Sequence, residues 1–141
     1  MKLIGIDYGR RRIGLAATDS GGLVVGGLAT VDRRKHPAAA AEVARIARNE
    51  SARALVVGVP LDADGEETTM SREARAFGAQ VGEITGLSVY YVDESFTSTR
   101  AAGILRSRKK KQRQTKTNTD RIAACLILEQ FQREQECGRA T

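Results

Sequence analysis

The sequence has few of the residues that build thiol, imidazole or stacking sites. Its 141 residues include two cysteines, one histidine and no tryptophan. Cys125 and Cys137 form no C-x-x-C pair and His36 stands alone, so we expect neither a zinc cluster nor a disulfide framework. The absence of a disulfide framework favours a reducing compartment, and we therefore expect a cytoplasmic protein.

Long hydrophobic stretches are also missing. No apolar run approaches the roughly 20 residues that a helix needs to span a bilayer. The amino-terminal segment reaches a carboxylate at Asp7, which is too early for a secretory signal. We therefore expect no membrane partner.

Positive charge is in excess and unevenly distributed. The chain has 23 Lys and Arg against 17 Asp and Glu, a net charge of +6. Seven of the eleven residues from Arg106 to Lys116 are basic and none is acidic, and Arg10–Arg12 form a smaller cluster. Such patches suit a polyanion, because each neutralised phosphate releases counterions. A solvated loop without a ligand is the alternative. The candidate nucleic-acid-binding residues are Arg10, Arg11, Arg12, Arg106, Arg108, Lys109, Lys110, Lys111, Arg113 and Lys116.

The hydrophobic periodicity predicts an α/β fold. Strands are predicted at residues 2–8, 13–18, 23–31, 54–59 and 88–92, and helices at 37–50, 70–84, 97–105 and from Thr117 or Thr119 to about 136. Short links make the first three strands antiparallel hairpins, and their glycines suggest that the third is bulged or weak. Alternating helices and strands then predict parallel pairing. We expect a single domain over residues 1–141, with a mixed five-stranded sheet (three antiparallel hairpin strands plus two parallel strands) flanked by helices.

Three carboxylates fall where this fold would bring them together. Asp7 ends the first predicted strand, and Glu94 follows the fifth, so both can reach the crevice at the carboxyl ends of the strands. Asp120 precedes apolar residues at i+4, i+7 and i+11, which points it toward the sheet. Clustered carboxylates repel one another unless a cation neutralises them, and oxygen ligands suit Mg²⁺ or Mn²⁺. Acidic metal ligands set among basic patches are typical of a phosphodiesterase.

Each acid also has an ordinary interpretation. Asp7 could end a strand at an Asp-x-Gly turn, and either Asp93 or Glu94 could be the second ligand. Asp120 lies three residues after Thr117 and could instead cap the last helix.

The motifs resemble those of a known family over nearly the full chain. The matching stretches are Ile6-Asp7-Tyr8-Gly9, Arg12-Ile13-Gly14-Leu15-Ala16, Gly58-Val59-Pro60-Leu61 with Asp64-Gly65, Val92-Asp93-Glu94, and Asp120 with Ala123-Ala124. With these ordered motifs at compatible spacing, the chain resembles the bacterial YqgF family of Holliday-junction-resolvase-like proteins, also described as pre-16S rRNA nucleases. The resemblance implies a ribonuclease H-like fold and hydrolysis that depends on Mg²⁺ or Mn²⁺. It also implies Asp7, Glu94 and Asp120 as the catalytic acids and metal ligands, which selects Glu94 over Asp93.

Two departures from the family pattern bear on function. Arg10–Arg12 stand where members often carry Lys, and Ser95 follows Glu94 where members usually have Arg.

The first hypothesis is a nuclease for structured RNA, most simply in 5′-end maturation of pre-16S rRNA, with ribosomal precursor particles as partners and a monomer favoured over a dimer. Aromatics are only 4% of residues, so recognition would rest on shape and phosphate.

Other functions make different demands on the sequence. Cleavage of branched DNA by a Holliday-junction resolvase would call for a dimer, because two strands must be cut. A non-catalytic RNA- or ribosome-binding module would fit the loss of Arg after Glu94. An actin-like ATPase would need a second lobe, and the sequence has no G-x-x-x-x-G-K-[ST] loop.

Overall fold

The computed structural model of the protein describes residues 1–93 and 116–140, with the side chains of the last segment described for residues 119–135. The strands are β1 (Leu3–Asp7), β2 (Arg12–Thr18), β3 (Val25–Asp32), β4 (Ala54–Val59) and β5 (Ser88–Asp93). The helices are α1 (Ala39–Asn49), α2 (Thr69–Thr85) and α3 (Lys116–Ala140). The helix predicted at residues 97–105 lies outside the described residues.

The strands form one mixed sheet in the order β3-β2-β1-β4-β5. β1 pairs with β2, and β2 with β3, in antiparallel ladders. β1 pairs with β4, and β4 with β5, in parallel ladders. This confirms the predicted five-stranded sheet and puts the carboxyl ends of β1, β4 and β5 at one edge, as pocket-forming α/β sheets require.

The third strand contains the predicted bulge. Leu15 pairs with Ala29, but the next residue of β2, Ala16, pairs with Gly27, so Leu28 is the extra residue. An inserted residue bends a strand and increases its twist, and glycine makes such a departure easy. The bulge therefore curls the edge of the sheet in a glycine-rich stretch.

Hydrophobic side chains cover both faces of the sheet. Ile4, Ile6 and Val57 belong to a core that α1 and α2 close with residues such as Val43 and Phe77. The residues between them in sequence face α3, because successive side chains of a strand point to opposite faces. That second core consists of Leu3, Ala16, Ala54, Val56, Val92, Ala124, Ile127, Leu128 and Phe131. β4 contributes to both cores, as its continuous apolar sequence predicts.

The helix ends show which local signals acted. Thr68 and Ser71 form a reciprocal capping box at the start of α2, and Gly86 ends that helix with a φ of 74°. α1 starts at Ala39, two residues later than predicted. The prediction that Thr117 or Thr119 caps the last helix is wrong, because α3 already begins at Lys116. Differences in helix propensity among such polar residues, under about 0.7 kcal/mol each, are too small to fix a first residue.

None of the helices in the described part of the chain is long and apolar enough to cross a membrane.

A glycine lets α3 lie close to the middle strand. A Cβ added at Gly5 would come 2.6 Å from Cγ of Leu128 and 2.9 Å from the carbonyl oxygen of Ala124. The second of these atoms is backbone, so it could move only with the helix.

We expect Gly5→Ala to lower the free energy of unfolding by about 1–3 kcal/mol, because the added methyl overpacks the interface between α3 and β1. Urea unfolding followed by circular dichroism measures the change. The matched control is Gly26→Ala in β3, where an added Cβ meets nothing within 4 Å. Equal stability of the two variants would contradict the close approach.

Candidate active site

Asp7 is the last residue of β1 and lies on the face of the sheet that α3 covers. The alternation of the strand determines this face: Leu3 packs in the α3 core and Gly5 lies against Leu128 and Ala124. Asp7, two residues beyond Gly5, points to the same face of the sheet and is only half-buried. The carboxylate is therefore at the edge of the sheet, where the α3 core gives way to solvent.

Asp120 reaches the same place from α3. A Cβ added at Gly14 would collide with the carbonyl oxygen of Asp120. Gly14 is also the direct partner of Asp7 in the ladder between β1 and β2. Both acids are thus neighbours of one glycine, and the helix can approach the strand this closely only because Gly14 has no side chain.

The carboxylate of Asp120 has a cationic partner. Nε of Arg12 donates to its Oδ2 at 3.2 Å, and the two side chains are 19% and 21% exposed. Burial raises the pKa of Asp120 above its ordinary value, while the hydrogen bond and charge of Arg12 act in the opposite direction. The predicted capping role for Asp120 does not hold, because the first turn of α3 has no acidic residue.

The predicted second acid falls beyond the described part of the chain. β5 ends at Asp93, and Glu94 and Ser95 lie outside the described residues. Val92 belongs to the α3 core, so the next residue, Asp93, occupies a position on the opposite face of the sheet. Its carbonyl oxygen accepts a hydrogen bond from Nε2 of Gln130, at 2.5 Å. Among the side chains of residues 1–93 and 119–135, no group of three or more His, Cys, Asp or Glu could hold a metal ion.

The arginines of the β1–β2 turn differ in their contacts. Arg10 donates two hydrogen bonds to the carboxylate of Glu73 in α2, from Nε to Oε1 at 3.0 Å and from Nη2 to Oε2 at 2.8 Å. Arg11 is exposed, whereas Arg12 contacts Asp120. The other predicted nucleic-acid-binding residues, Arg106, Arg108, Lys109, Lys110, Lys111 and Arg113, lie outside the described residues, and Lys116 is described only as the first residue of α3.

Sequence reasoning missed Glu73 and Arg33. The hydroxyl of Tyr8 donates to Glu73 at 3.2 Å and accepts from Nη1 of Arg33 at 2.8 Å. The ring of Tyr8 also packs on Phe77, with centroids 5.3 Å apart. One signal could have found Glu73: it precedes Phe77 by four residues and so shares the apolar stripe of α2.

The comparison with protein families identifies the chain. The family model described as "RuvX: Holliday junction resolvase" matches residues 1–134. The chain belongs to the RuvX family. A relative from Thermosynechococcus vestitus, named "Putative pre-16S rRNA nuclease", is 35% identical over 131 residues, 93% of this chain and 87% of that protein. Another of the same name, from Oleidesulfovibrio alaskensis, is 38% identical over 131 residues, 93% of this chain and 91% of that protein.

Solved resolvases have the same fold. The chain is similar to RuvC of T. thermophilus in complex with a Holliday junction substrate, with a TM-score of 0.60, 17% identity and 96% of each chain covered. It is also similar to Fowlpox virus resolvase in complex with Holliday junction DNA, with a TM-score of 0.62, 11% identity, and coverage of 96% of this chain and 99% of that one. These likenesses confirm the predicted ribonuclease H-like fold.

Membership of the RuvX family also confirms the predicted class of enzyme. The chain is a nuclease, a hydrolase acting on phosphodiester bonds. The resemblance read from the five motifs is thus correct.

We expect Asp120→Asn to raise the free energy of unfolding at pH 7 in EDTA. Because burial raises the pKa of Asp120 in the folded protein, the folded state binds the proton more tightly than the unfolded chain does. Ionisation therefore lowers stability as pH rises through the folded pKa, and an uncharged Asn avoids this loss. The advantage should shrink as pH falls toward the ordinary value of 3.8. Urea unfolding across this pH range measures it.

The matched control for that series is Asp64→Asn, at an exposed loop position. It should leave the free energy of unfolding unchanged at both ends of the pH range. A loss of stability at pH 7 in Asp120→Asn would show that the contact with Arg12 outweighs the cost of burial.

Proposed function

We propose that this chain is a nuclease that depends on Mg²⁺ or Mn²⁺ and cuts structured RNA in 5′-end maturation of pre-16S ribosomal RNA. Asp7, Glu94 and Asp120 are the proposed catalytic acids and metal ligands. The observation that carries the proposal is the convergence of Asp7 and Asp120 on Gly14, from elements at opposite ends of the chain. Two carboxylates at one sheet edge disfavour each other's ionisation, and a divalent cation bound there would remove that conflict.

The residues present fit a hard divalent cation. Both described acids offer carboxylate oxygens, the ligands that Mg²⁺ and Mn²⁺ favour. A bound cation would polarise a phosphoryl oxygen and lower the pKa of a water molecule. The motif Val92-Asp93-Glu94, which resembles that of the family, supports Glu94 as the second acid.

The contact between Arg12 and Asp120 bears on metal binding. The guanidinium neutralises the half-buried carboxylate at a hydrogen-bond distance of 3.2 Å. A divalent cation on Asp120 would take over that role and leave Arg12 available for a phosphate of the substrate. Arg12 and a bound metal would therefore compete for one carboxylate.

The names of the relatives support the choice of substrate. Curated relatives at 35% and 38% identity carry the name "Putative pre-16S rRNA nuclease". The alternative substrate is branched DNA, since the family description names a Holliday junction resolvase and two similar structures hold junction DNA. A monomer in the cytoplasm that meets ribosomal precursor particles remains part of the proposal. A non-catalytic binding module is the third outcome, motivated by Ser95.

We expect Asp7→Asn to lose more than about 100-fold in cleavage rate, because even outer-shell changes at metal sites cost about 10–100-fold. The assay measures cleavage of a structured pre-16S RNA fragment and of a four-way DNA junction with Mn²⁺, Mg²⁺ or EDTA. Asp64→Asn is the matched control and should cut as the intact protein does.

The two substrates separate the alternatives. Faster cutting of RNA supports rRNA maturation, and faster cutting of the junction supports the resolvase. Binding without cleavage of either substrate, in every metal, would overturn the nuclease proposal in favour of the non-catalytic module.

We expect Arg12→Gln to show a larger rise in melting temperature on addition of Mn²⁺ than the intact protein. The variant removes the cation that competes for Asp120, so metal binding stabilises its folded state more. Thermal unfolding with Mn²⁺ and with EDTA measures this without any substrate. Arg11→Gln controls for charge, because Arg11 is an exposed neighbour. Equal rises in the Arg12 and Arg11 variants would contradict the competition.

A further inference from the structure

A second basic cluster lies beside the arginines of the β1–β2 turn. The cluster Arg33-Arg34-Lys35 follows β3, and its backbone is joined to that turn because the N–H of Arg33 donates to the carbonyl oxygen of Arg11 at 2.9 Å. At the same end of the ladder between β2 and β3, the backbone of Arg12 lies opposite that of Asp32. Two clusters that are about twenty residues apart in sequence thus form one basic surface.

Arg33 holds this surface together. Its Nη1 donates to the Tyr8 hydroxyl at 2.8 Å and to the carbonyl oxygen of Gly9 at 3.3 Å. Its guanidinium also lies over the rings of Tyr8 and Phe77, 5.2 Å and 5.8 Å from their centroids. Such contacts fix the position of a cation before any ligand arrives, which reduces the entropy lost on binding.

The surface is open and carries a net positive charge. Arg10, Arg11, Arg34 and Lys35 are exposed. Two carboxylates face them. Glu73 is held by Arg10, and Oδ1 of Asp32 accepts the backbone N–H of Arg34 at 2.9 Å. In the described part of the chain, neither acid forms an ion pair with the side chain of Arg34 or Lys35. We call the set Arg10, Arg11, Arg33, Arg34 and Lys35 the basic ridge.

The position of the ridge relates it to the candidate active site. β1 ends at Asp7, and the β1–β2 turn that follows carries the first half of the ridge. The second half follows β3, the edge strand of the sheet. The ridge therefore starts beside Asp7 and runs across the end of β2 toward that edge, on the side of the site away from β5.

We propose that the basic ridge binds the phosphodiester backbone of the substrate on the β3 side of the cleavage site, with Arg34 and Lys35 as phosphate contacts. The inference rests on the proposed function for the identity of the ligand, a nucleic acid. It adds residues that the sequence did not single out. A row of fixed and exposed cations next to the catalytic acids sets the path of the backbone without reading bases.

The test measures binding in EDTA, so that no cleavage occurs. The variant Arg34→Gln/Lys35→Gln leaves Arg33 and its ring contacts intact. A fluorescent structured RNA and a four-way DNA junction are titrated at several salt concentrations. We expect binding about ten- to thirtyfold weaker near 0.1 M salt, and a slope of log affinity against log salt reduced by about 1.5, since each lost phosphate contact removes about 0.7–0.9.

The matched control is Arg53→Gln/Arg133→Gln, which removes the same charge from exposed positions at the other end of the sheet. Arg53 precedes β4 and donates its N–H to the carbonyl oxygen of Lys2, and Arg133 follows Gln132, which contacts the β2–β3 turn. The control should bind within about twofold of the intact protein. Equally weakened binding by both double variants, or unchanged binding by Arg34→Gln/Lys35→Gln, would contradict the proposal that the basic ridge binds the phosphodiester backbone.

The outcome is distinguishable from failure of the proposed function. If Arg34→Gln/Lys35→Gln binds nucleic acid more weakly and the intact protein cleaves nothing in any metal, the nuclease proposal is rejected and the proposed role of the ridge stands. Normal cleavage by the intact protein, with unchanged binding by the ridge variant, would reject the ridge alone.

Discussion

The close approach of α3 to the sheet is the constraint on which the candidate site depends. Gly5 and Gly14 leave room for the backbone of the helix, which lies against them at Ala124 and Asp120. Any side chain at Gly14 would displace the turn that carries Asp120. The two glycines therefore set the height of the helix above the strands, and so decide whether its acid reaches the edge where β1 ends. The hydrophobic α3 core supplies the driving force for this contact, and the glycines determine its geometry.

The electrostatics of the site follow from this packing. The helix carries Asp120 into a half-buried position, where ionisation is unfavourable and the pKa is raised. Arg12 offsets part of that cost from the neighbouring strand. On the other face, Arg10 and Tyr8 tie the turn after Asp7 to Glu73 of α2. The turn is thus held from both layers of helices. Such charged arrangements commonly reduce stability in exchange for activity.

Much of the fold was predictable because its signals are local. β4 has an apolar run that only a strand buried on both faces would carry, and α2 has a regular apolar stripe ending at a glycine. The bulge in β3 was anticipated from its glycines, and Asp120 was expected to face the sheet from its line with Ala124 and Ile127. Helix ends were less predictable. Weak preferences act there, and α3 starts at Lys116, one residue before the first predicted cap.

The sequence by itself determined which residue types could act: the acids at positions 7, 94 and 120, the scarcity of thiol and imidazole ligands, and the excess of basic residues. It also determined the family, through motifs that each lie within a few residues. Only the tertiary structure decided which charges meet. Arg12 and Asp120 are 108 positions apart, and Arg10 and Glu73 are 63 apart. The union of Arg33–Lys35 with the β1–β2 turn likewise depends on strand pairing. Charge pairs of this kind leave no periodic pattern in a sequence, because their distances are set by packing between elements whose order in space differs from their order in the chain.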